Sequence, residues 1–69
     1  MERKDAVRLS DRITAECRMA AYVGSPALTE TDWPIPGTYP VLVEHASGSE
    51  DTFLTADDAE QFIARHTFG

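Results

Sequence analysis

The N-terminal third of the chain has apolar residues at helical spacing. Steps of three, four, four and three separate five apolar positions, which are Ala6, Leu9, Ile13, Cys17 and Ala20. This spacing forms one apolar stripe along an α-helix, with charged residues on the other flanks. Gly24 and Pro26 then supply the signals that commonly follow a helix end. The pattern predicts a helix over about residues 4–22.

The second half of the chain first shows an alternating pattern. Val41 and Val43 lie on one side of a predicted strand over Tyr39–Ala46. A Ser-Gly-Ser turn sequence follows, and Asp51–Leu54 is a second strand candidate. The pattern predicts a β-hairpin over about residues 40–54.

A second helix is predicted after the hairpin. Thr55 is a capping residue, and Asp58 occupies the third helical position, where a carboxylate complements the positive end of the helix dipole. The residues expected on the inner side are Ala59, Phe62, Ile63 and His66. The helix is predicted over about residues 56–66.

Between the first helix and the hairpin lies a proline-rich segment, residues 24–40, which contains all four prolines. Missing donors and fixed φ angles block regular structure, so we predict an ordered crossing loop with at most one helical turn at Thr29–Asp32. Two roles fit its aromatic residues. Trp33 and Tyr39 either cover the small core, which is the more common arrangement because exposed tryptophan is uncommon, or anchor in a partner's groove.

These elements predict a small single domain of the α+β class, in the order helix, loop, hairpin, helix. Two helices on one face of a short sheet leave its other face for the loop or for a second copy of the chain. At 69 residues the core is thin, and the single cysteine, Cys17, excludes an internal disulfide. We therefore expect a homodimer.

Charge is strongly segregated along the sequence. No lysine or arginine lies between Arg18 and Arg65, although eight carboxylates do, and the net charge is −6. Such a field attracts basic partners and repels nucleic acid and anionic lipid. A solvated acidic face is the ordinary interpretation, but surfaces usually mix both signs. We predict a basic partner surface, bound by the residues Glu44, Glu50, Asp51, Asp57, Asp58, Glu60, Trp33 and Tyr39.

No motif for catalysis, cofactor binding or metal binding accompanies these residues. Cys17 could pair with His45 or His66, but it lies on the apolar stripe of the first helix, where cysteine is typically an inert small hydrophobe. His66 is expected to complement the end of its helix, and His45 to be a surface or interface group. We predict no catalytic residues, no cofactor and no metal site.

The sequence thus favours a non-enzymatic protein that binds another macromolecule. The sharpest version is an inhibitor that blocks a nucleic-acid-binding protein, by analogy of type with small acidic proteins of phages and mobile elements. The alternative is a structural protein that acts through homo-oligomerisation. We expect a cytoplasmic location, without membrane attachment, because no apolar run reaches the roughly 18 residues of a membrane span.

Overall fold

The computed structural model describes residues 1–67, which form one α+β unit of two helices and a three-stranded antiparallel sheet. This confirms the predicted fold class and adds one strand. In chain order the elements are α1 (Arg3–Arg12), a π-helical turn (Ile13–Cys17), β1 (Ala20–Val23), β2 (Val41–Glu44), β3 (Glu50–Phe53) and α2 (Ala56–His66).

The first helix ends earlier than the sequence predicts. Its apolar stripe is buried as far as Cys17, but the helix widens into the π-helical turn and stops before Arg18. Arg18 adopts the left-handed conformation with φ 56°, which reverses the chain. Residues 20–22, which were predicted as helix, therefore belong to β1, and Ala20 is exposed.

The sheet has β2 at its centre, in the order β1-β2-β3. The predicted hairpin is confirmed as β2 and β3, joined by a turn in which Gly48 has φ 91°. Val41 and Val43 point to one face and are fully buried. On the other face a side chain at Gly24 would overlap that of Leu42, so this close approach requires glycine.

Helix α2 follows the local signals in its sequence. The Thr55 hydroxyl accepts a hydrogen bond from the Asp58 N–H at 3.2 Å, which is the predicted cap. Ala59, Phe62 and Ile63 are buried as predicted. His66 is exposed instead, and its ring lies against Phe62 with a centroid distance of 4.3 Å.

Both helices pack on the same face of the sheet. The buried apolar core consists of Ala6, Leu9, Ile13, Cys17, Val41, Val43, Ala59, Phe62 and Ile63. Between residues 1 and 67, no helix has the length and apolar character needed to cross a bilayer.

The proline-rich segment 24–40, called the arm below, is an ordered loop that folds back on itself. Leu28 and Pro34 form an antiparallel bridge, and the Ile35 N–H donates to the Ala27 carbonyl at 2.9 Å. The predicted turn at its tip is a single hydrogen-bonded turn, in which the Asp32 N–H donates to the Thr29 carbonyl at 3.0 Å, and it does not continue as a helix, because Asp32 has φ 62°. The molecule measures 44 × 22 × 15 Å, which is long for so short a chain.

Candidate binding surface around strand β3

The sheet has one covered face and one open face. Alternation along each strand sends every second side chain away from the helices. The side chains on the open face are Ala20, Tyr22, Leu42, Glu44, Glu50 and Thr52. All are exposed except Leu42, which is half-buried.

Two predicted binding residues, Glu44 and Glu50, lie directly opposite each other on this open face. Like charges at such a cross-strand position are unfavourable in an isolated sheet. The Tyr22 hydroxyl donates a hydrogen bond to the Glu50 carboxylate at 2.9 Å. This bond raises the pKa of Tyr22 above its ordinary value, because a tyrosinate could not donate it.

Strand β3 also has a carboxylate on the helix side of the sheet. Asp51, adjacent to Glu50, lies 2.6 Å from the His45 ring nitrogen Nε2. Asp51 and Asp58 line the same cleft between β3 and α2, and Asp57 is the neighbour of Asp58 in the first turn of α2. Two of the six predicted carboxylates therefore lie on the open face of the sheet, and three lie on its helix side, in β3 and in the first turn of α2. We call Glu44, Glu50, Asp51, Asp57 and Asp58 the β3 acidic surface.

The sixth predicted carboxylate, Glu60, is placed differently. It lies 3.6 Å from Arg12 of α1, so an arginine from the first helix partly neutralises it. Arg12 also donates to Glu16 at 2.9 Å, and this hydrogen bond raises the pKa of the guanidinium. We therefore leave Glu60 out of the β3 acidic surface.

The two predicted aromatic residues have different environments. Tyr39 is half-buried against the core, as the covering role requires. Trp33 follows the turn at the far end of the arm with 70 % of its surface exposed, so it does not cover the core. Leu28, its neighbour across the turn, is 53 % exposed. The arm thus combines a covering base with an exposed apolar tip.

A groove of about 470 Å³ lies between the base of the arm and the end of β3. Pro26 and Pro40 line it from the arm, and Thr52 and Leu54 line it from the sheet. Leu54 is 64 % exposed. Sequence reasoning missed Tyr22, Leu28 and Leu54, because their exposure depends on which face of the sheet the helices cover.

Cys17 is buried, and its burial raises the pKa of the thiol. No hydrogen bond joins Cys17 to His45 or His66, and the Nε2 atom of His45 faces Asp51 instead. In the described part of the chain, no three histidine, cysteine or acidic side chains are arranged to hold a metal ion.

Comparisons with known proteins give no match for this chain, whether with family models, curated proteins or solved structures. The function is therefore inferred from the residues and their geometry.

Proposed function

We propose that this protein is a non-enzymatic binding protein that uses the β3 acidic surface to dock on a basic surface of another protein. The observation that supports the proposal is the placement of five carboxylates on β2, β3 and the first turn of α2, two on the open face and three on the helix side, next to a sheet and arm that contain no lysine or arginine. A binding role explains why two carboxylates lie opposite each other at Glu44 and Glu50, a position that costs stability in the free protein.

The distribution of ion pairs supports this assignment. On α1 two arginines are paired with carboxylates of the same helix region: Arg8 lies 3.7 Å from Asp5, and Arg12 bonds Glu16. Within residues 1–67, by contrast, Glu44 and Glu50 have no basic side chain within ion-pair distance. The negative potential is therefore concentrated around β3, where it accelerates the approach of a cationic partner.

An exposed leucine next to β3 and an exposed tryptophan at the tip of the arm offer further contact area. The groove at Leu54 lies at the end of β3, and Trp33 extends from the arm that lines the groove. Charge directs encounter, whereas buried aromatic and aliphatic anchors usually provide most of the binding energy. We infer an amphipathic partner surface with basic and apolar groups side by side.

In its sharpest form, the proposal makes the protein an inhibitor of a nucleic-acid-binding protein. Surfaces that bind a phosphate backbone are rich in lysine and arginine, and carboxylates compete with phosphates for the same groups. Competition between this protein and duplex DNA for a purified DNA-binding domain tests this form.

The general proposal is tested with a fluorescein-labelled peptide of alternating lysine and valine, whose anisotropy reports binding. A triple variant, Glu44→Gln, Glu50→Gln and Asp58→Asn, is compared with a control triple variant, Glu2→Gln, Asp5→Asn and Asp11→Asn. Both lose the same charge, and each loses one acid from the first turn of a helix.

Relative to the unaltered protein, we expect the first variant to bind the peptide about tenfold more weakly and the control variant less than about twofold more weakly. Both losses of affinity should shrink at high salt. Equal losses in the two variants would show that only net charge matters. That result, or no binding by the unaltered protein, overturns the proposal.

Self-association is a second candidate function, and strand β1 favours it. Its sequence, Ala-Ala-Tyr-Val, contains no charge and no proline, which are the usual protections of an edge strand. Pairing of β1 with β1 of a second copy would give a continuous six-stranded sheet in a homodimer. Analytical ultracentrifugation at two salt concentrations tests this, because an apolar dimer persists at high salt whereas charge-driven binding weakens.

A further inference from the structure

We infer that the basic partner binds as an extended segment that adds a fourth strand to the free edge of β3, in the cleft between β3 and α2. This inference rests on the proposed function and specifies how the partner is held. It follows from the direction of the backbone groups of β3, the position of the cleft and the chemistry of its walls.

The backbone of β3 offers hydrogen-bonding groups along its outer edge. In an antiparallel pair, alternate residues bond to the partner strand and the others point away. The His45 N–H donates to the Ser49 carbonyl, which fixes this alternation from the turn onwards. Asp51 and Phe53 therefore bond to β2, and Glu50 and Thr52 direct their N–H and C=O groups outwards.

The other end of the sheet gives the same assignment. The Gly24 N–H donates to the Pro40 carbonyl, so Leu42 and Glu44 bond to β1. The remaining residues of β2, Val41 and Val43, must then bond to β3. Among residues 1–67, no hydrogen bond occupies the outer backbone groups of β3.

The cleft of about 420 Å³ lies along this free edge. Three consecutive residues line it, Asp51, Thr52 and Phe53, although their side chains alternate between the two faces of the sheet. The lining thus follows the outermost strand over three consecutive residues. Helix α2 forms the opposite wall with Asp58, Gln61, Phe62, Arg65 and His66.

The walls of the cleft define the chemistry of the occupant. Its floor is aromatic, since the Phe53 and Phe62 rings are 5.0 Å apart and His66 stacks on Phe62. Glu50 stands beside the edge on the open face. An added strand would alternate in the same way, with apolar side chains over the floor and basic side chains beside Glu50.

The charges of β3 also disfavour pairing of this edge with a second copy of the chain. Pairing β3 with β3 would bring Glu50 and Asp51 close to their own counterparts, and such like-charge contacts are unfavourable. A basic segment meets the opposite situation at Glu50 and Asp51, and basic side chains that point to the open face lie on the side of the sheet away from Arg65, which lines the cleft. We therefore assign this edge to a basic heterologous segment, with apolar and basic residues in alternation.

A backbone substitution tests the inference directly. Thr52→Pro removes the outward N–H of residue 52, which has no hydrogen-bond acceptor among the described residues. Proline is tolerated at such edge positions. Thr52→Val keeps the N–H and is the matched control. With the alternating lysine-valine peptide, we expect Thr52→Pro to weaken binding about tenfold and Thr52→Val to leave it within about twofold. Thermal unfolding of both variants verifies that they fold.

Amide hydrogen exchange gives a second measurement that needs no variant. In the free protein the amides of Glu50 and Thr52 should exchange fast, and those of Asp51 and Phe53 slowly. Saturation with the peptide should slow the first pair about tenfold or more and leave the second pair as internal references. A control peptide has the same composition, with its lysines and valines in two separate blocks.

The outcomes separate the binding mode from the function. One outcome overturns the strand-addition mode and leaves the proposed function standing. In it, the triple carboxylate variant loses binding, Thr52→Pro binds normally, and the alternating and block peptides bind equally. Fast exchange of the Glu50 and Thr52 amides in the complex also overturns the mode. If the triple variant binds like its control, the proposed function itself fails. Dimerisation through β3 without peptide overturns the choice of occupant.

Discussion

The two faces of the sheet are built from alternate residues of the same strands, yet one face packs against the helices and the other is exposed. On the covered face Val41 and Val43 are fully buried beneath both helices. On the open face Glu44 and Glu50 are paired across the strands, with Tyr22 bonded to Glu50. The contacts that stabilise the fold are therefore concentrated on one face, and the other face has opposed like charges that do not favour folding.

The two edges of the sheet differ in the same way. Strand β1 is neutral, whereas β3 begins with two carboxylates and borders a cleft. Charges on an edge discourage pairing with identical chains and leave the edge available to a segment of opposite charge. A small domain can thus have one edge suited to self-association and one suited to a basic partner.

The largest predicted difference in stability is between truncating a buried leucine of α1 and truncating an exposed leucine that follows β3. Leu9 is fully buried and Leu54 is 64 % exposed. Leu9→Ala should lower the free energy of unfolding by about 2–5 kcal/mol, because it leaves a cavity. Leu54→Ala should change it by less than about 0.5 kcal/mol. Urea denaturation measures both.

If Leu9→Ala is already unfolded in buffer, Ile13→Val replaces it, with an expected loss of about 0.5–1.5 kcal/mol. A large loss for Leu54→Ala would contradict the comparison. It would mean that the open face is covered in solution, by the arm or by a second copy.

Removing one of the opposed carboxylates should have a smaller effect of the opposite sign. Glu44→Gln relieves the repulsion with Glu50 and should raise the free energy of unfolding by a few tenths of a kcal/mol at low salt. The gain should disappear at high salt. Glu2→Gln is the control, because Glu2 lies 3.9 Å from Lys4 and its loss should give no gain. A loss of stability for Glu44→Gln would show that the opposed pair is not repulsive.

The sequence predicted those elements whose signals are local. For α2, the Thr55 cap, the acidic first turn and the apolar spacing all lie within the element, and its bounds agree with the structure. Strand β1 was missed because Ala20 fits the helical spacing after Cys17. The reversal at Arg18 uses a left-handed conformation that is usually marked by glycine or asparagine, so no local signal announced it.

The acidic composition of the candidate site was predictable for a similar reason. The absence of lysine and arginine between Arg18 and Arg65 is a property of the sequence itself, whereas the face on which each carboxylate lies depends on the strand register. The ion pair of Glu60 could not be predicted from the sequence, because its neighbour Arg12 is brought close only by the packing of α1 on α2. The exposure of Trp33 likewise depends on the direction of the arm, which local signals do not define.

The smallest effect concerns the bond between Tyr22 and Glu50, which joins β1 to β3 across the open face. The raised pKa of Tyr22 means that its hydroxyl keeps its proton in the folded state at pH values where the unfolded chain loses it. The bond's contribution to stability is therefore complete below the unfolded pKa near about 10 and is lost as the pH rises through the folded pKa. Glu50→Gln removes the carboxylate and should lower the pKa of Tyr22 towards its ordinary value.

Ultraviolet titration of tyrosine measures this shift, and Tyr22→Phe identifies which transition belongs to Tyr22. Above pH of about 10, the free energy of unfolding should fall more steeply for the unaltered protein than for Glu50→Gln, because only the former has a shifted group to titrate. An unchanged Tyr22 transition in Glu50→Gln would mean that the hydroxyl is not held by Glu50 in solution. The Glu50 carboxylate would then be free of Tyr22, and the open face would have no side-chain link across its three strands.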